Sequence, residues 1–207
     1  MTVTITRLYN SHTEARAVVD ALRAANVGER NISVLASNAD EWHSDRKPAT
    51  YPDKDLDGRD DRAEAAGTGA GLGAVAGGAV GALTGLGLMA IPGVGPIVAA
   101  GWLVATLAGA AAGGATGGII GALTQTGATP DEAEVYAESL RRGGAVVSVQ
   151  TDDADQSRIV AIMDRSSIDV RDRGAAYRKA GWNRFDPAAA PYTSEQVTRE
   201  RDLYRQS

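Results

Sequence analysis

Residues 3–8, Val3-Thr-Ile-Thr-Arg-Leu8, alternate apolar and polar side chains, and Ser11-His-Thr-Glu14 follows closely. Alternation with a period of two indicates a half-buried strand. Ser11 and Glu14 have the spacing of a capping box, which begins a helix. The apolar stripe of that helix consists of Ala17, Val18, Leu22 and Ala25. Ile32-Ser-Val-Leu35 supplies a second strand, so residues 1–36 predict a strand–helix–strand unit.

The same order of elements returns in residues 129–172. Ala145-Val-Val-Ser-Val149 predicts one strand and Ile168-Asp-Val170 predicts another. The helix between them is indicated by Ile159, Val160, Ile162 and Met163. Strand, helix and strand, repeated twice, is the split βαβ arrangement of ferredoxin-like domains. We therefore expect an α+β fold in which residues 1–36 and 129–172 form the two halves of a ferredoxin-like sandwich.

One more helix is expected just before the second half, from Asp131 to Arg142. Thr129-Pro130-Asp-Glu132 can begin this helix, because Pro is favoured in the first helical turn. Gly143-Gly144 can end it, since Gly readily adopts the left-handed conformation that closes a helix.

The insertion between the two halves, residues 65–128, has a different composition. No Asp, Glu, Lys or Arg occurs from Ala65 to Pro130, and 19 of the 25 glycines lie there. Small residues recur at every fourth position, which places them on one face of a helix. The glycines of this pattern are Gly69, Gly73, Gly77, Gly81 and Gly85 and, after a break, Gly101, Gly109, Gly113, Gly117 and Gly121.

This spacing predicts a helical hairpin with two glycine zippers. Its helices would span Ala66–Ile91 and Ile97–Thr124, and the Pro- and Gly-containing stretch from residue 91 to residue 97 would form the turn. Each Gly inside a helix costs about 0.8–1 kcal/mol relative to Ala. Close approach of another helix must offset that cost, so the zipper faces predict tight helix–helix contact.

Two environments could stabilise such a hairpin. Each helix would be about 39 Å long or more at 1.5 Å per residue, which is enough to cross a bilayer. The gain on insertion is modest, because each Leu, Ile or Val contributes only about −0.3 to −0.6 kcal/mol and Ala and Gly dominate. Alternatively, hairpins from several subunits bury one another. We expect a homo-oligomer, with a membrane-inserted hairpin that anchors the α/β domain at the inner membrane as the alternative.

The charged linker, residues 37–64, contains a match to the calcium-loop pattern D-x-D-x-D-G-x5-E. The residues at the side-chain ligand positions are Asp53, Asp55, Asp57, Asp61 and Glu64. Pro48 and Pro52 disfavour an entering helix, and a single loop without a paired one binds Ca²⁺ weakly. A solvated acidic linker is therefore the favoured interpretation, and a Ca²⁺ site is the alternative.

The C-terminal arm, residues 173–207, is polar but rich in aromatic residues. Those singled out for docking are Tyr177, Trp182, Phe185 and Tyr192. Aromatic side chains in a polar extension commonly anchor it on another surface, either the chain's own domain or a neighbouring subunit. We expect the arm to clasp a neighbour in the oligomer.

Composition limits the possible functions. A formal net charge of −5 argues against nucleic-acid binding, and the absence of Cys excludes disulfides and thiol nucleophiles. No set of polar residues has the spacing of a catalytic or substrate-binding cluster. We therefore expect a non-enzymatic protein without a cofactor or a small-molecule substrate. No secretory signal is visible, so a cytoplasmic location is expected, with the inner membrane as the alternative.

Several of these segments together resemble a known family. They are Thr4-Ile-Thr-Arg-Leu8, Thr13-Glu-Ala-Arg16, Ile32-Ser-Val-Leu35, the glycine-zipper insertion, Glu134-Val-Tyr136 and Arg141 to Val149. Over about residues 3–172 the chain resembles the bacterial general stress protein 17M-like (heat-induced stress protein) family. The resemblance implies a bacterial, stress-associated, non-enzymatic protein, and it carries no catalytic residues over to this chain.

Overall fold

The computed structural model describes residues 2–43, 87–91, 93–112 and 118–205. The chain has an α+β fold, in which one antiparallel sheet is packed with helices. The predicted calcium loop, which runs from Asp53 to Glu64, lies outside the described residues. So do seven predicted zipper positions, which are Gly69, Gly73, Gly77, Gly81, Gly85, Gly113 and Gly117.

Five strands form the sheet within the described residues. They are β1 (Thr2–Tyr9), β2 (Ile32–Ser37), β3 (Gly87–Ile91), β4 (Gly95–Ala100) and β5 (Ala145–Asp152). Their order is β1-β5-β2-β4-β3, and every neighbouring pair is antiparallel. Strand β5 lies between β1 and β2, so β1 and β2 run parallel to each other and their carboxyl ends lie at the same edge of the sheet.

Helices cover both faces of the sheet. In chain order they are α1 (His12–Ala24), α2 (Trp102–Ala112), α3 (Gly118–Thr124), α4 (Pro130–Arg141), α5 (Gln156–Met163), α6 (Val170–Lys179) and α7 (Ser194–Arg205). On one face, α1 and α5 bury Leu22, Ile159 and Met163 against the sheet. On the other face, a larger apolar core includes residues of α2, α3, α4 and α6. The sheet is therefore the middle layer of three.

The predicted helical hairpin is wrong at residues 87–100, which form the β-hairpin of β3 and β4. Ile97 and Val98 are β-branched and therefore favour extended backbone. Both are almost fully buried, and β4 pairs with β2 in the register Ala36↔Val98. The edge of β2 thus draws this apolar segment into the sheet, a tertiary effect that overrides the period-four pattern of small residues.

The second predicted helix, Ile97–Thr124, begins five residues later than expected. Gly101 lies at the turn between β4 and α2 with φ of 87°, so it is not a helical zipper position. A Cβ placed there would lie within 2.3 Å of the Ile32 carbonyl oxygen. Glycine is needed at this turn because the backbone is left-handed and a neighbouring strand is close. Gly109 lies in α2 and Gly121 lies in α3.

The strand predicted at residues 168–170 is wrong. Ile168 forms only an isolated antiparallel bridge with Leu8, in which its backbone N–H donates to the Leu8 carbonyl over 2.8 Å. Helix α6 begins directly afterwards at Val170. Its N-cap is Asp169, whose Oδ1 accepts hydrogen bonds from the backbone N–H groups of Arg171 and Asp172 at 2.7 and 3.2 Å. Capping of a helix therefore competes with strand extension at this point and prevails.

Candidate functional site

A group of buried polar side chains lies where the carboxyl ends of β1 and β2 meet the C-terminal end of α4 and the middle of α7. Helix α4 ends at Arg141, and two glycines then lead the chain into β5. Gly143 has φ of 97°, and a Cβ at Gly144 would lie 3.0 Å from the Tyr9 carbonyl oxygen. These two glycines allow α4, β1 and β5 to approach closely. Four arginines surround this point and are here called the arginine cluster, namely Arg141, Arg142, Arg173 and Arg201.

Glu138 is the fully buried carboxylate of the arginine cluster. Its Oε1 accepts hydrogen bonds from Arg142 Nε at 2.6 Å and from Arg141 Nη2 at 3.0 Å. Arg142 also donates through Nη1 to Glu200 of α7 over 2.9 Å. Burial acts to lower the pKa of Arg142, but its hydrogen bonds and charge interactions with Glu138 and Glu200 outweigh burial and raise that pKa. Arg142 therefore stays charged and joins α4 to α7.

Arg201 anchors α7 a second time. Its Nη1 donates to Asp40 Oδ2 over 2.5 Å, while its Nε and Nη2 donate to the Gly143 carbonyl oxygen at 3.2 and 2.8 Å. Val197 of α7 is fully buried above the same glycine, where an added Cβ would lie 2.2 Å from its Cγ1. Arg142, Arg201 and Val197 thus all hold α7 on the α/β core.

Arg173 is bound in a different way. Only 7% of it is exposed, and its Nη2 donates to Asn10 Oδ1 over 2.7 Å. Its guanidinium lies 4.4 Å from the centre of the Tyr204 ring. Among the residues that the structure describes, no carboxylate lies within ion-pair distance of it. The neighbouring Tyr177 is also buried, and burial raises its pKa to about 12.

The side chains of His12 and Trp42 lie beside the arginine cluster. The rings of His12 and Trp42 are stacked, with centroids 4.0 Å apart and planes 7° from parallel. Trp42 Nε1 donates to the Ser37 carbonyl oxygen over 2.7 Å, which fixes the indole after β2. Burial lowers the pKa of His12, with Asp40 acting in the opposite direction. The Nδ1 of His12 is buried and has no hydrogen-bond partner among the described residues.

We expect acidification to destabilise the protein through His12. Its folded pKa lies below the unfolded value of about 6.5, so the unfolded state binds the proton more readily. The stability that His12 contributes is therefore complete above that value and is lost as the pH falls towards the folded pKa. Thermal unfolding at pH values on either side of 6.5 should show a larger decrease in Tm for the wild type than for His12→Phe, which keeps a ring on Trp42. Equal decreases would contradict this assignment.

The aromatic residues predicted to dock the arm lie against their own chain. Tyr177, Trp182 and Phe185 are buried in the larger core, and the Phe185 N–H donates to Glu134 Oε2 over 3.0 Å. Tyr192 lies beneath Arg141, whose guanidinium is 5.0 Å from the ring centre. Because these three side chains are buried, little of the surface of Tyr177, Trp182 or Phe185 is exposed to contact a neighbouring subunit.

The described residues were also compared with the requirements of metal binding and of membrane crossing. No group of three or more His, Asp or Glu residues that could hold a metal ion occurs in residues 2–43, 87–91, 93–112 and 118–205. Over the same residues, no helix combines the length and the apolar character that crossing a bilayer requires.

The arginine cluster was not identified from the sequence. Glu138, Arg141 and Arg142 have i, i+3 and i, i+4 spacing on one helix, which is a signal for ion pairs but is common on exposed helix faces. The other partners, Asn10, Asp40 and the residues of α7, are distant in sequence. Only the fold brings them to one point.

The fold and the cluster define an α+β protein whose C-terminal helix is fastened over one end of a three-layer core. No protein-family model, curated protein or solved structure matches the chain.

Proposed function

We propose that this chain is a non-enzymatic, stress-associated structural protein that assembles into a homo-oligomer through its glycine-rich helices. The association with stress rests on the sequence resemblance described above. We also propose that β1, α1, β2, β5 and α5 correspond to a ferredoxin-like unit. The bridge between Leu8 and Ile168 supports this, because it lies on the outer side of β1 where a fourth strand would pair.

The observation that supports self-assembly most directly concerns Gly118 and Gly121 of α3. A Cβ placed at either residue would have no atom within 4 Å. Packing of the described chain therefore does not require glycine at these positions. Each glycine inside a helix costs about 1 kcal/mol relative to alanine. Contact with a further helix would offset this cost, and a second copy of the chain would supply such a helix.

The neighbouring residues fix the orientation of α3. Ile119, Ala122 and Leu123 are buried in the larger core, and α3 contacts both α2 and α4. Gly118 and Gly121 are three positions apart and only half-buried, so they lie together on the side of α3 that is turned from this core. A narrow, uncharged surface of this kind allows two helix backbones to approach closely.

The test is to fill this surface and measure the mass of the protein. The variant Gly121→Leu, alone and combined with Gly118→Leu, should reduce the oligomer to smaller species in mass photometry. Ala161→Leu is the matched control, because it adds the same side chain at an exposed position of α5, outside the glycine-rich segment. Its oligomer should keep the wild-type mass. Unchanged mass in the glycine variants would contradict the proposal.

Attachment of the α/β domain to a membrane through the charge-free residues 65–86 is the second candidate. The rest of the predicted hairpin is not available for this, because β3 and β4 belong to the sheet and α2 and α3 to its core. The two candidates differ in flotation with liposomes. Self-assembly predicts that the purified wild type stays at the bottom of the gradient as an oligomer. Flotation of the wild type would favour the membrane instead.

A further inference from the structure

Strand β3 is one of the two edges of the sheet. Within the described residues it pairs with β4 on one side and with no strand on the other. The backbone N–H and C=O groups of β3 that point away from β4 therefore have no strand partner in the described part of the chain. An edge of this kind is a template onto which a further strand can pair.

An exposed apolar surface lies beside this edge. In the register of the β3–β4 hairpin, Leu88 lies opposite Val98 and Ala90 lies opposite Pro96. Val98 also pairs with Ala36, which is buried on the side of the sheet that carries α1 and α5. Those two helices lie over β1, β2 and β5. Leu88 is 38% exposed on this side, and Ala90 and Pro96 are exposed as well.

The two edges of the sheet differ in how they are protected. Edge strands of natural proteins commonly carry a charged side chain or are covered by another segment. Strand β1 has both features, because it carries Arg7 and the Ile168 N–H donates to the Leu8 carbonyl oxygen over 2.8 Å. Residues 87–100, which include β3 and β4, contain no polar or charged side chain. Strand β3 is therefore the edge that is suited to pairing.

The composition of the chain indicates which strand can occupy this edge. Residues 65–86 lead directly into β3, but 15 of these 22 residues are Gly or Ala, and both types are depleted in strands. Strand β3 of a second copy is already extended in the folded chain, so most of the entropy of ordering it has been lost before it pairs. It is also uncharged, so two copies approach without repulsion. A second copy is therefore the occupant that fits best.

We propose that β3 is a homodimer interface, in which the β3 strands of two copies pair antiparallel about a twofold axis. The pairing joins the two sheets into one continuous sheet. Leu88 and Ala90 of both copies then lie on the same face, where contacts across the two strands cover part of the exposed apolar surface. This inference rests on the proposed self-assembly, but it uses a different surface from that of Gly118 and Gly121.

A positive charge on β3 tests the pairing. Leu88→Lys and Ala90→Lys each change a side chain that is exposed in the single chain, so the fold should be kept, whereas charges at an edge oppose pairing. Because a twofold contact joins copies in pairs, the mass in light scattering should fall to half of the wild-type value. Leu203→Lys is the matched control, since Leu203 of α7 is 67% exposed, and it should keep the wild-type mass. Wild-type mass in both β3 variants would overturn the proposal.

The surfaces of α3 and β3 can be tested separately. Gly121→Leu should leave dimers that are paired through β3, and Gly121→Leu combined with Ala90→Lys should be a monomer. A halved mass in Ala90→Lys with an unchanged mass in Gly121→Leu would contradict the glycine surface of α3 and support pairing through β3. The opposite pattern would overturn pairing through β3 and support the glycine surface.

Cross-linking locates the contact directly. The chain contains no Cys, so Ala90→Cys introduces a single thiol at the edge. A short bismaleimide should join two copies of this variant into a covalent dimer on a denaturing gel. Ala161→Cys, which places the thiol at an exposed position of α5, should remain a single chain. The proposal would be overturned if Ala90→Cys gave no covalent dimer where the wild type is oligomeric, which is the result expected if residues 65–86 of the same chain occupy the edge.

Discussion

Gly101→Ala should destabilise the protein by about 3 kcal/mol or more, because two effects add at this turn. A left-handed conformation costs an L-residue about 1–2 kcal/mol, and Gly101 has φ of 87°. The new Cβ would also lie 2.3 Å from the Ile32 carbonyl oxygen and 2.7 Å from Ser33 Cα. Both contacts are with the backbone of β2, so the clash can be relieved only by moving a strand. Urea unfolding followed by circular dichroism measures the loss.

Gly28→Ala is the matched control for this prediction. Gly28 has an ordinary φ of −62°, and the nearest atom to its added Cβ is 3.9 Å away. Its free energy of unfolding should stay within about 0.5 kcal/mol of the wild type or rise slightly. If Gly101→Ala were equally well tolerated, the β4–α2 turn would be in doubt, and Gly101 could again belong to a helical zipper.

Glu138→Ala should have the second large effect, a loss of about 3–5 kcal/mol, because it breaks a buried ion pair by removing one partner. The side chain of Glu138 is completely buried, and those of Arg141 and Arg142 are 12% and 10% exposed. Arg141 would lose its only ion pair among the described residues, and Arg142 would keep only Glu200. Glu138→Gln should cost less, since its amide oxygen can still accept one hydrogen bond.

The control for Glu138 is an exposed ion pair on another helix. Asp155 pairs with Arg158 at 2.8 Å, and the two side chains are 51% and 46% exposed. Asp155→Asn should change the free energy of unfolding by no more than about 1 kcal/mol. Comparable losses in Glu138→Ala and Asp155→Asn would show that the arginine cluster does not fasten α4 to α7.

Local patterns were sufficient to predict the strands and helices whose signals are strong. Strands β1, β2 and β5 lie where alternating or continuous apolar residues place them. Helix α4 begins as predicted, because Thr129 and Glu132 form a capping box with proline in the first turn. Such signals depend on neighbours within four residues, and so they can be recognised without knowledge of the fold.

The β-hairpin of β3 and β4 could not be predicted in this way. The spacing of Gly, Ala, Ile and Val in this segment is also compatible with a helix. The segment is extended because β4 pairs with β2. At Ile168 the error is the reverse, because a strand was expected and a helix forms. Asp169 caps α6, and only an isolated bridge between Ile168 and Leu8 remains of the expected strand. In both places a contact outside the local segment, or a cap at its end, determined the structure.

The arginine cluster is hard to predict for a related reason. The contacts of Arg142 with Glu200, Arg173 with Asn10 and Arg201 with Asp40 join residues that are 58 to 163 positions apart. Nothing in the local sequence distinguishes these arginines from solvated ones. Their burial follows from α6 and α7 packing over the ends of β1 and β2.

The mass of the native protein, purified without detergent, tests the central claim most directly. One chain has a mass of 21.4 kDa. Self-assembly through the glycine-rich helices predicts a discrete multiple of this value in light scattering, and the same mass after mild detergent is added. A monomer at micromolar concentration, or aggregates that only detergent resolves, would contradict the claim.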